Sequence, residues 1–211
     1  MATVLNPPEQ RIVLRNVSWE TYERLLADHT DSSSPRFTYD RGALEIMSPS
    51  PEHERVNRSI AMFVEVLAET MNLDWDNLGS TTFKREDLER GFEPDSCFYI
   101  QNAELISGKD RIDLNTDPPP DLIIEIDITS ESLNKLPIYA QLGISEVWRY
   151  NGKRLIMLAL RGDVYIECER SVAFPYLAAS VISTFIEESK SLKRAAWLRS
   201  IREWARSNKQ S

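Results

Sequence analysis

The sequence predicts an α/β fold with a mixed sheet flanked by helices. An isoleucine-rich strand covers residues 121–128, a helix with apolar residues at helical spacing covers about 51–71, and a meander of short strands covers 146–168. The strand, helix and strand in the middle of the chain imply an α/β core. The 211 residues fit one domain, with a core over about 36–190 and a basic amphipathic helix over 191–211.

The first half of the chain begins with a helix and a hairpin. Ser18 is a suitable N-cap because its hydroxyl can accept a hydrogen bond from a first-turn amide. Pro51 suits the first turn of the long helix, where its missing N–H does no harm. The predicted elements are a helix over about 18–29, strands over 36–39 and 43–47, a helix over about 51–71, strands over 81–84 and 95–100, and a short helix around Ala103.

The second half continues from a loop over 113–120 into the isoleucine-rich strand. Asn134 is the expected N-cap of the next helix, which has Pro137 in its first turn and Gly143 at its end. The dipeptide Asn151-Gly152 is a strong signal for a two-residue hairpin turn. The remaining predicted elements are strands over 146–150, 154–160 and 164–168 and helices over about 181–189 and 191–206.

Charge is unevenly distributed along the chain. The net charge is −8, yet residues 189–211 hold seven Lys or Arg against one acid, so the remainder carries about −14. Affinity for phosphates rests on Lys and Arg that displace counterions. The acidic body therefore disfavours sequence-independent binding of nucleic acid.

The chain contains no recognisable membrane or targeting segment. No apolar run approaches the roughly 20 residues that span a bilayer, and the first eight residues lack the regions of a signal peptide. We expect a soluble, cytoplasmic protein. Cys97 and Cys168 lie in separate predicted strands, so we expect buried thiols rather than a disulfide framework.

The isoleucine-rich strand alternates acidic and apolar residues. In an extended segment, one face carries Asp121, Ile123, Glu125 and Asp127, and the other carries Leu122, Ile124, Ile126 and Ile128. Carboxylates near a sheet interior need a metal, a cation or several donors. The same alternation fits an antiparallel strand with one solvent-exposed face, and the segment alone does not decide between the two.

Three ionisable residues can converge if the two acidic strands are neighbours. Asp95 begins one strand, Glu125 lies within the next, and Lys135 starts the helix that follows. Mg²⁺ or Mn²⁺ prefers carboxylate and water oxygens, and a lysine nearby can position or deprotonate a water. This set suits phosphodiester hydrolysis, although a lysine in a first helical turn can also be an ordinary surface residue.

Four segments together resemble the Uma2 family, a group of inferred endonucleases common in cyanobacteria. They are MSPSPEH at 47–53, EPD at 93–95, PDLIIE at 120–125 and KLPIYAQLGISEVW at 135–148. Their order and spacing carry the resemblance, which runs from about residue 36 to residue 150.

The resemblance implies a restriction-endonuclease-like PD-(D/E)XK fold with a divalent metal. Matched by position, Asp95 and Glu125 are the expected metal ligands, and Lys135 is the expected catalytic lysine. The ordinary pattern has lysine two residues after the strand acid, where this chain has Asp127. The resemblance thus implies that the lysine function has moved to the adjacent helix.

Several residues are accessory candidates. His53 matches a histidine frequent in the family and could touch substrate or order a metal-bound water, although it could also cap local backbone. Glu54 could supply a further carboxylate or be an exposed acid favoured by the helix dipole. Asp127 could support Glu125 from one side, as Asp121 could from the other.

Substrate contacts and assembly are suggested by basic and apolar surfaces. Lys84 and Arg85 could line a substrate groove, or simply be solvated at a strand end. In the terminal helix, Trp197, Ile201 and Trp204 form an apolar stripe that docks on the domain or on a second subunit. We expect a homodimer.

The leading hypothesis is a metal-dependent DNA endonuclease that uses Mg²⁺ or Mn²⁺, with Asp95 and Glu125 as ligands and Lys135 assisting the attacking water. The alternative is a non-catalytic interaction or regulatory protein that retains the nuclease scaffold. Hydrolysis of a smaller phosphodiester would use the same residues.

Overall fold

The computed structural model describes residues 9–30, 34–128 and 133–208. Its strands are β1 (Gln10–Leu14), β2 (Arg36–Asp40), β3 (Ala43–Ser48), β4 (Asp76–Asn77), β5 (Phe83–Arg85), β6 (Arg90–Phe92), β7 (Ser96–Tyr99), β8 (Leu122–Ile126), β9 (Glu146–Tyr150), β10 (Leu155–Arg161) and β11 (Val164–Cys168). Its α-helices are α1 (Trp19–Asp28), α2 (Pro51–Met71), α3 (Ala103–Ile106), α4 (Leu136–Gln141), α5 (Ala179–Ser191) and α6 (Arg194–Asn208).

The larger sheet is mixed, as the sequence predicts. Its six strands follow the order β11-β10-β9-β8-β7-β4, and β8 and β9 are parallel, connected through α4. The strands that carry the two candidate acids are neighbours, because β7 pairs antiparallel with β8. The middle of this sheet therefore holds the predicted active-site segment.

Both faces of β8 are buried, which decides between the two interpretations of its alternating pattern. Leu122, Ile124 and Ile126 belong to the core beneath α2, α5 and α6. Ile123 belongs to a second core, which includes Tyr139 of α4. Glu125 shares the face of Ile123, so it lies on a covered face of the sheet rather than on a wet one.

Helix α1 packs against a second sheet, in which β2, β3 and β5 correspond to predicted strands, whereas β1, β6 and the pairing of the five strands were not predicted. This sheet is antiparallel, with the order β1-β3-β2-β6-β5. Strand β6 has no alternating pattern, and its Gly91 allows close approach of a helix side chain. A Cβ at Gly91 would lie 2.2 Å from the hydroxyl oxygen of Tyr22, so only glycine fits there.

The apolar stripe of the terminal helix is covered within the chain. Trp197 and Ile201 are almost fully buried against the core that includes α2 and α5, and Trp204 is partly buried there. Among the alternatives for this stripe, docking on the domain is therefore confirmed. The stripe no longer supports a homodimer.

Most predicted elements are present with shifted ends. The helix after β8 begins at Leu136 and has Lys135 at its cap position, while Asn134 accepts a hydrogen bond from the Leu136 amide at 3.3 Å.

Cys97 is buried, Cys168 is half-buried, and both are free thiols. No helix in the described ranges is both long enough and apolar enough to cross a membrane.

Candidate active site

Asp95 and Glu125 lie side by side on the covered face of the larger sheet. Ser96 pairs with Ile124 across β7 and β8, and this register continues to place Asp95 opposite Glu125. Asp95 is 2% exposed and Glu125 is 8% exposed. Burial is the largest influence on the pKa of Glu125 and raises it, and the charge of Asp95 adds to the increase, against the opposing effect of Lys135.

Asp95 is held by cations and by helix α2. One carboxylate oxygen accepts hydrogen bonds from Arg36 and from His53 Nε2, the latter at 2.8 Å. The other oxygen accepts from the Ile126 amide at 2.7 Å. Burial alone would raise the pKa of Asp95, but His53, Arg36 and Lys135 outweigh it and lower the pKa to about 2. Asp95 is therefore ionised at neutral pH.

Helix α2 fixes Asp95 from two successive turns. Ser50 caps the helix by accepting from the His53 amide at 3.1 Å, which sets the first turn beside β7. Asn57 follows His53 by four residues, and its Nδ2 donates to the backbone carbonyl of Asp95 at 2.9 Å. Residues four apart share a helix face, so a single rigid helix holds both the side chain and the main chain of Asp95.

His53 is buried between two carboxylates. Its Nδ1 lies 2.7 Å from Glu9 and its Nε2 lies 2.8 Å from Asp95. Burial would lower the pKa of His53, but the hydrogen bonds to Asp95 and Glu9 outweigh it and raise the pKa to about 9. Because the side chain is fully buried, the imidazolium holds Asp95 and does not face solvent.

Glu125 is bound by two side chains from the start of α4. Lys135 Nζ donates to one carboxylate oxygen at 2.9 Å, and the Tyr139 hydroxyl donates to the other. Burial would lower the pKa of Lys135, but Glu125, Asp95 and Glu45 outweigh it, so the pKa is raised. The lysine is therefore an ammonium group within the electrostatic reach of both acids.

Two accessory acids lie at the edge of this cluster. Glu54 is about one third exposed and binds Arg36 at 2.5 Å, so it contacts Asp95 only through that arginine. Asp127 binds Arg149 at 2.6 Å and lies 3.6 Å from Arg11.

Three other polar candidates lie outside the cluster. Asp121 accepts from the amides of Ile100 and Asn102, at the opposite end of β8. Lys84 is paired with Glu23 at 2.5 Å, and Arg85 with Asp87 at 2.7 Å.

Four residues of the cluster were not identified from sequence. Tyr139 could have been found, because it stands four residues after Lys135 on a predicted helix. Glu9, Arg36 and Glu45 were missed because they come from strands β2 and β3 and from the residue before β1, and nothing in the sequence indicates that these segments lie beside Asp95 and Lys135.

A cavity of about 420 Å³ opens beside Glu125 and Lys135. Its lining consists of Glu125, Asp127, Leu133, Asn134, Lys135, Leu136, Tyr139, Val147 and Arg149. Asp95 is not among the lining residues, and Lys84 lines a separate cleft near α1.

The two acids fit a hard divalent cation. An ionised carboxylate offers about four lone-pair positions. Both oxygens of Glu125 and one of Asp95 each accept a single hydrogen bond, so each retains acceptor capacity. Within the described residues, no three His, Cys, Asp or Glu side chains form a group that could hold a metal. This donor set suits Mg²⁺, which keeps several waters and needs only one or two carboxylates.

The mixed sheet flanked by helices agrees with a restriction-endonuclease-like fold, and similarity to the solved structure given below confirms this predicted fold class. The chain belongs to the Uma2 family, described as "Putative restriction endonuclease", whose model matches residues 19–179. A solved structure of a putative nuclease belonging to DUF820 from Anabaena variabilis ATCC 29413 is similar, with a TM-score of 0.52 and 14% identity over 86% of this chain and 99% of that chain. No curated protein matches the chain.

Proposed function

We propose that this protein is a metal-dependent DNA endonuclease, with Asp95 and Glu125 as ligands of Mg²⁺ or Mn²⁺ and Lys135 as the catalytic cation. The proposal rests mainly on one observation: two buried acids from neighbouring strands share a lysine that binds Glu125 and acts electrostatically on Asp95. Membership in a family described as restriction endonucleases supports the same reaction class.

The two acids would supply the metal-binding oxygens. When bound there, such an ion polarises a phosphoryl oxygen and lowers the pKa of a coordinated water. Asp95 is suited to this role because its pKa of about 2 keeps it ionised. Arg36, His53 and Asn57 fix its position, so little rearrangement of the ligand is needed.

Lys135 would supply a hydrogen-bond donor and a positive charge beside both acids. Against the opposing effect of burial, Glu125, Asp95 and Glu45 raise the pKa of Lys135 in the metal-free site, and a divalent cation held by Glu125 and Asp95 would reduce that effect. Its ammonium can donate a hydrogen bond to the attacking water and stabilise negative charge that develops on the phosphoryl group. Tyr139 keeps Glu125 turned toward the lysine by donating to its second oxygen.

A non-catalytic protein on the same scaffold is the competing proposal, and one feature favours it. Asp95 and Glu125 already bind Arg36, His53 and Lys135, so the acids are neutralised by side chains of the chain itself. The buried carboxylates therefore have compensating cations in the absence of a metal.

The test is cleavage of plasmid and single-stranded DNA by purified protein with Mg²⁺ or Mn²⁺. We expect wild-type protein and the Lys153→Ala control, an exposed lysine in the β9–β10 turn, to cleave DNA. Glu125→Ala and Lys135→Ala should abolish cleavage with circular dichroism unchanged. Wild-type rates in either variant would refute the assigned roles, and an inert wild type that does not bind Mn²⁺ would favour the non-catalytic protein.

A further inference from the structure

Arg149 stands next to the proposed metal ligand, on the strand parallel to it. Its Cα partner across β8 and β9 is Glu125. Paired residues of a parallel ladder project their side chains to the same face, and the strands are about 4.8 Å apart. Arg149 therefore shares the covered face of the sheet with Glu125, and it lines the same cavity as Lys135.

Arg149 differs from the other cations of the site in being accessible. Its side chain is 46% exposed, whereas Arg11 and Arg36 are 6% and 7% exposed. Lys135 is 8% exposed and is bound to Glu125. Of the described residues that line the cavity, only Lys135 and Arg149 are cationic, and Arg149 is the more exposed of the two.

Asp127 orients the guanidinium without using all its donors. Arg149 Nε donates to Asp127 Oδ2 at 2.7 Å, and Nη2 lies 2.6 Å from the same oxygen. A guanidinium carries five N–H groups, so the pair with Asp127 leaves at least three of them for a ligand. The remaining edge suits a planar or tetrahedral oxyanion such as phosphate, which arginine binds bidentately.

We propose that Arg149 binds a backbone phosphate of the nucleic acid at the mouth of the cavity and thereby places the strand over Glu125 and Lys135. This inference rests on the proposed nuclease function. It gives the acidic chain a local basic contact, and it gives Asp127 a defined role as the residue that positions the arginine. The contact is to the backbone, so it contributes affinity and register but no base specificity.

The test measures binding of a labelled oligonucleotide, in double-stranded and single-stranded form, by fluorescence anisotropy at several salt concentrations. Ca²⁺ replaces Mg²⁺ so that the oligonucleotide stays intact. The variants are Arg149→Gln, Arg149→Lys and Arg154→Gln. Arg154 is a matched control, because it is 60% exposed and pairs with Glu167 at 3.1 Å on the neighbouring strand, but it does not line the cavity.

We expect Arg149→Gln to weaken binding about tenfold and to reduce the slope of log affinity against log salt by about one. Arg149→Lys should keep the slope and lose only part of the affinity, because lysine retains the charge but not the bidentate geometry. Arg154→Gln should bind like wild type, which excludes a general effect of net charge.

The two proposals fail in different ways. If wild-type protein binds oligonucleotide but Arg149→Gln has the same affinity and salt slope as Arg154→Gln, the role of Arg149 is overturned and the nuclease proposal stands. If wild-type protein neither binds nor cleaves any oligonucleotide, both proposals are overturned.

Discussion

Glu125 and Glu146 are buried glutamates on adjacent parallel strands, and their surroundings are opposite in kind. Glu146 is fully buried, and its four hydrogen-bond donors are uncharged. They are the indole of Trp148, the hydroxyl of Ser171 and the amides of Val172 and Ala173, at 2.7 to 3.0 Å. Glu146 thus fastens the loop after β11 to the sheet.

Glu125 has a charged partner and an opening to solvent. It binds Lys135 and Tyr139, lies close enough to Asp95 for the two charges to interact, and lines the cavity. Burial is the largest influence on the pKa of both glutamates and raises it. A perturbed pKa alone therefore does not distinguish a structural carboxylate from a proposed metal ligand, whereas a charged partner and access to a cavity do distinguish Glu125 from Glu146.

The largest expected effect is on catalysis at Glu125. Glu125→Gln keeps the volume of the side chain but removes the charge that would hold the metal. We expect the cleavage rate to fall by on the order of 10³ or more, since a bound metal supplies several kcal/mol of charge stabilisation. Single-turnover cleavage measures this loss, with the exposed Glu167→Gln as control. Normal cleavage by Glu125→Gln would place it in the same structural class as Glu146.

At Glu146 we expect a loss of stability instead of activity. Glu146→Ala leaves three buried donors and one partly buried donor without their acceptor, at a cost of about 1 kcal/mol for each buried donor, so the free energy of unfolding should fall by about 3 kcal/mol or more. Urea denaturation measures this change, with Glu167→Ala expected within about 0.5 kcal/mol of wild type. Cleavage per folded molecule should stay normal. A variant that is stable but inactive would contradict the structural role.

The third prediction concerns the pH dependence of stability through His53. The pKa of His53 rises from 6.5 to about 9 on folding, so its protonated form stabilises the native state. This contribution is fully present below pH 6.5 and is lost as the pH rises through about 9. The difference in unfolding free energy between wild type and His53→Gln, measured with a chelator present, should shrink by on the order of 3 kcal/mol across that window. A constant difference would contradict a cationic His53.

The smallest effect is expected at Lys84, a predicted substrate contact. Its ammonium pairs with Glu23 at 2.5 Å and lies in a different cleft from Glu125. Exposed ion pairs contribute little, so Lys84→Ala should change stability by less than about 0.5 kcal/mol and oligonucleotide affinity by less than about twofold. A loss as large as that of Arg149→Gln would instead extend the substrate path to this second cleft.

Local signals explain which elements were predictable. The helix Pro51–Met71 was predicted within a residue, because Ser50 and Pro51 mark its start and apolar spacing marks its length. Its end is set by Asn72, whose left-handed φ of 58° closes the last turn. The isoleucine-rich strand was predicted from its alternating residues, and the hairpin turn of the meander from the dipeptide Asn151-Gly152. Strands β2, β3 and β5 were predicted, but their assembly into one sheet with β1 and β6 was not, because β6 has three residues and no alternation.

The candidate site was predictable only where residues matched an ordered motif. Asp95, Glu125 and Lys135 were singled out by strand alternation and by family resemblance, and the structure brings them together. Arg36 was not predicted as a site residue because it lies 59 positions from Asp95 along the chain. A contact between residues so far apart produces no periodic pattern in the sequence. Arg149 was not predicted as a site residue because its position beside Glu125 depends on the parallel register of β8 and β9, which only the structure gives.

The most direct measurement is anomalous scattering from a crystal of the protein soaked in Mn²⁺. The account predicts one strong peak between the carboxylates of Asp95 and Glu125, within about 2.0 to 2.3 Å of an oxygen from each. It also predicts that the peak disappears in Glu125→Gln and persists in Glu146→Gln. The absence of a peak there in wild-type protein, or a peak held only by other acids, would contradict the metal site on which the nuclease proposal depends.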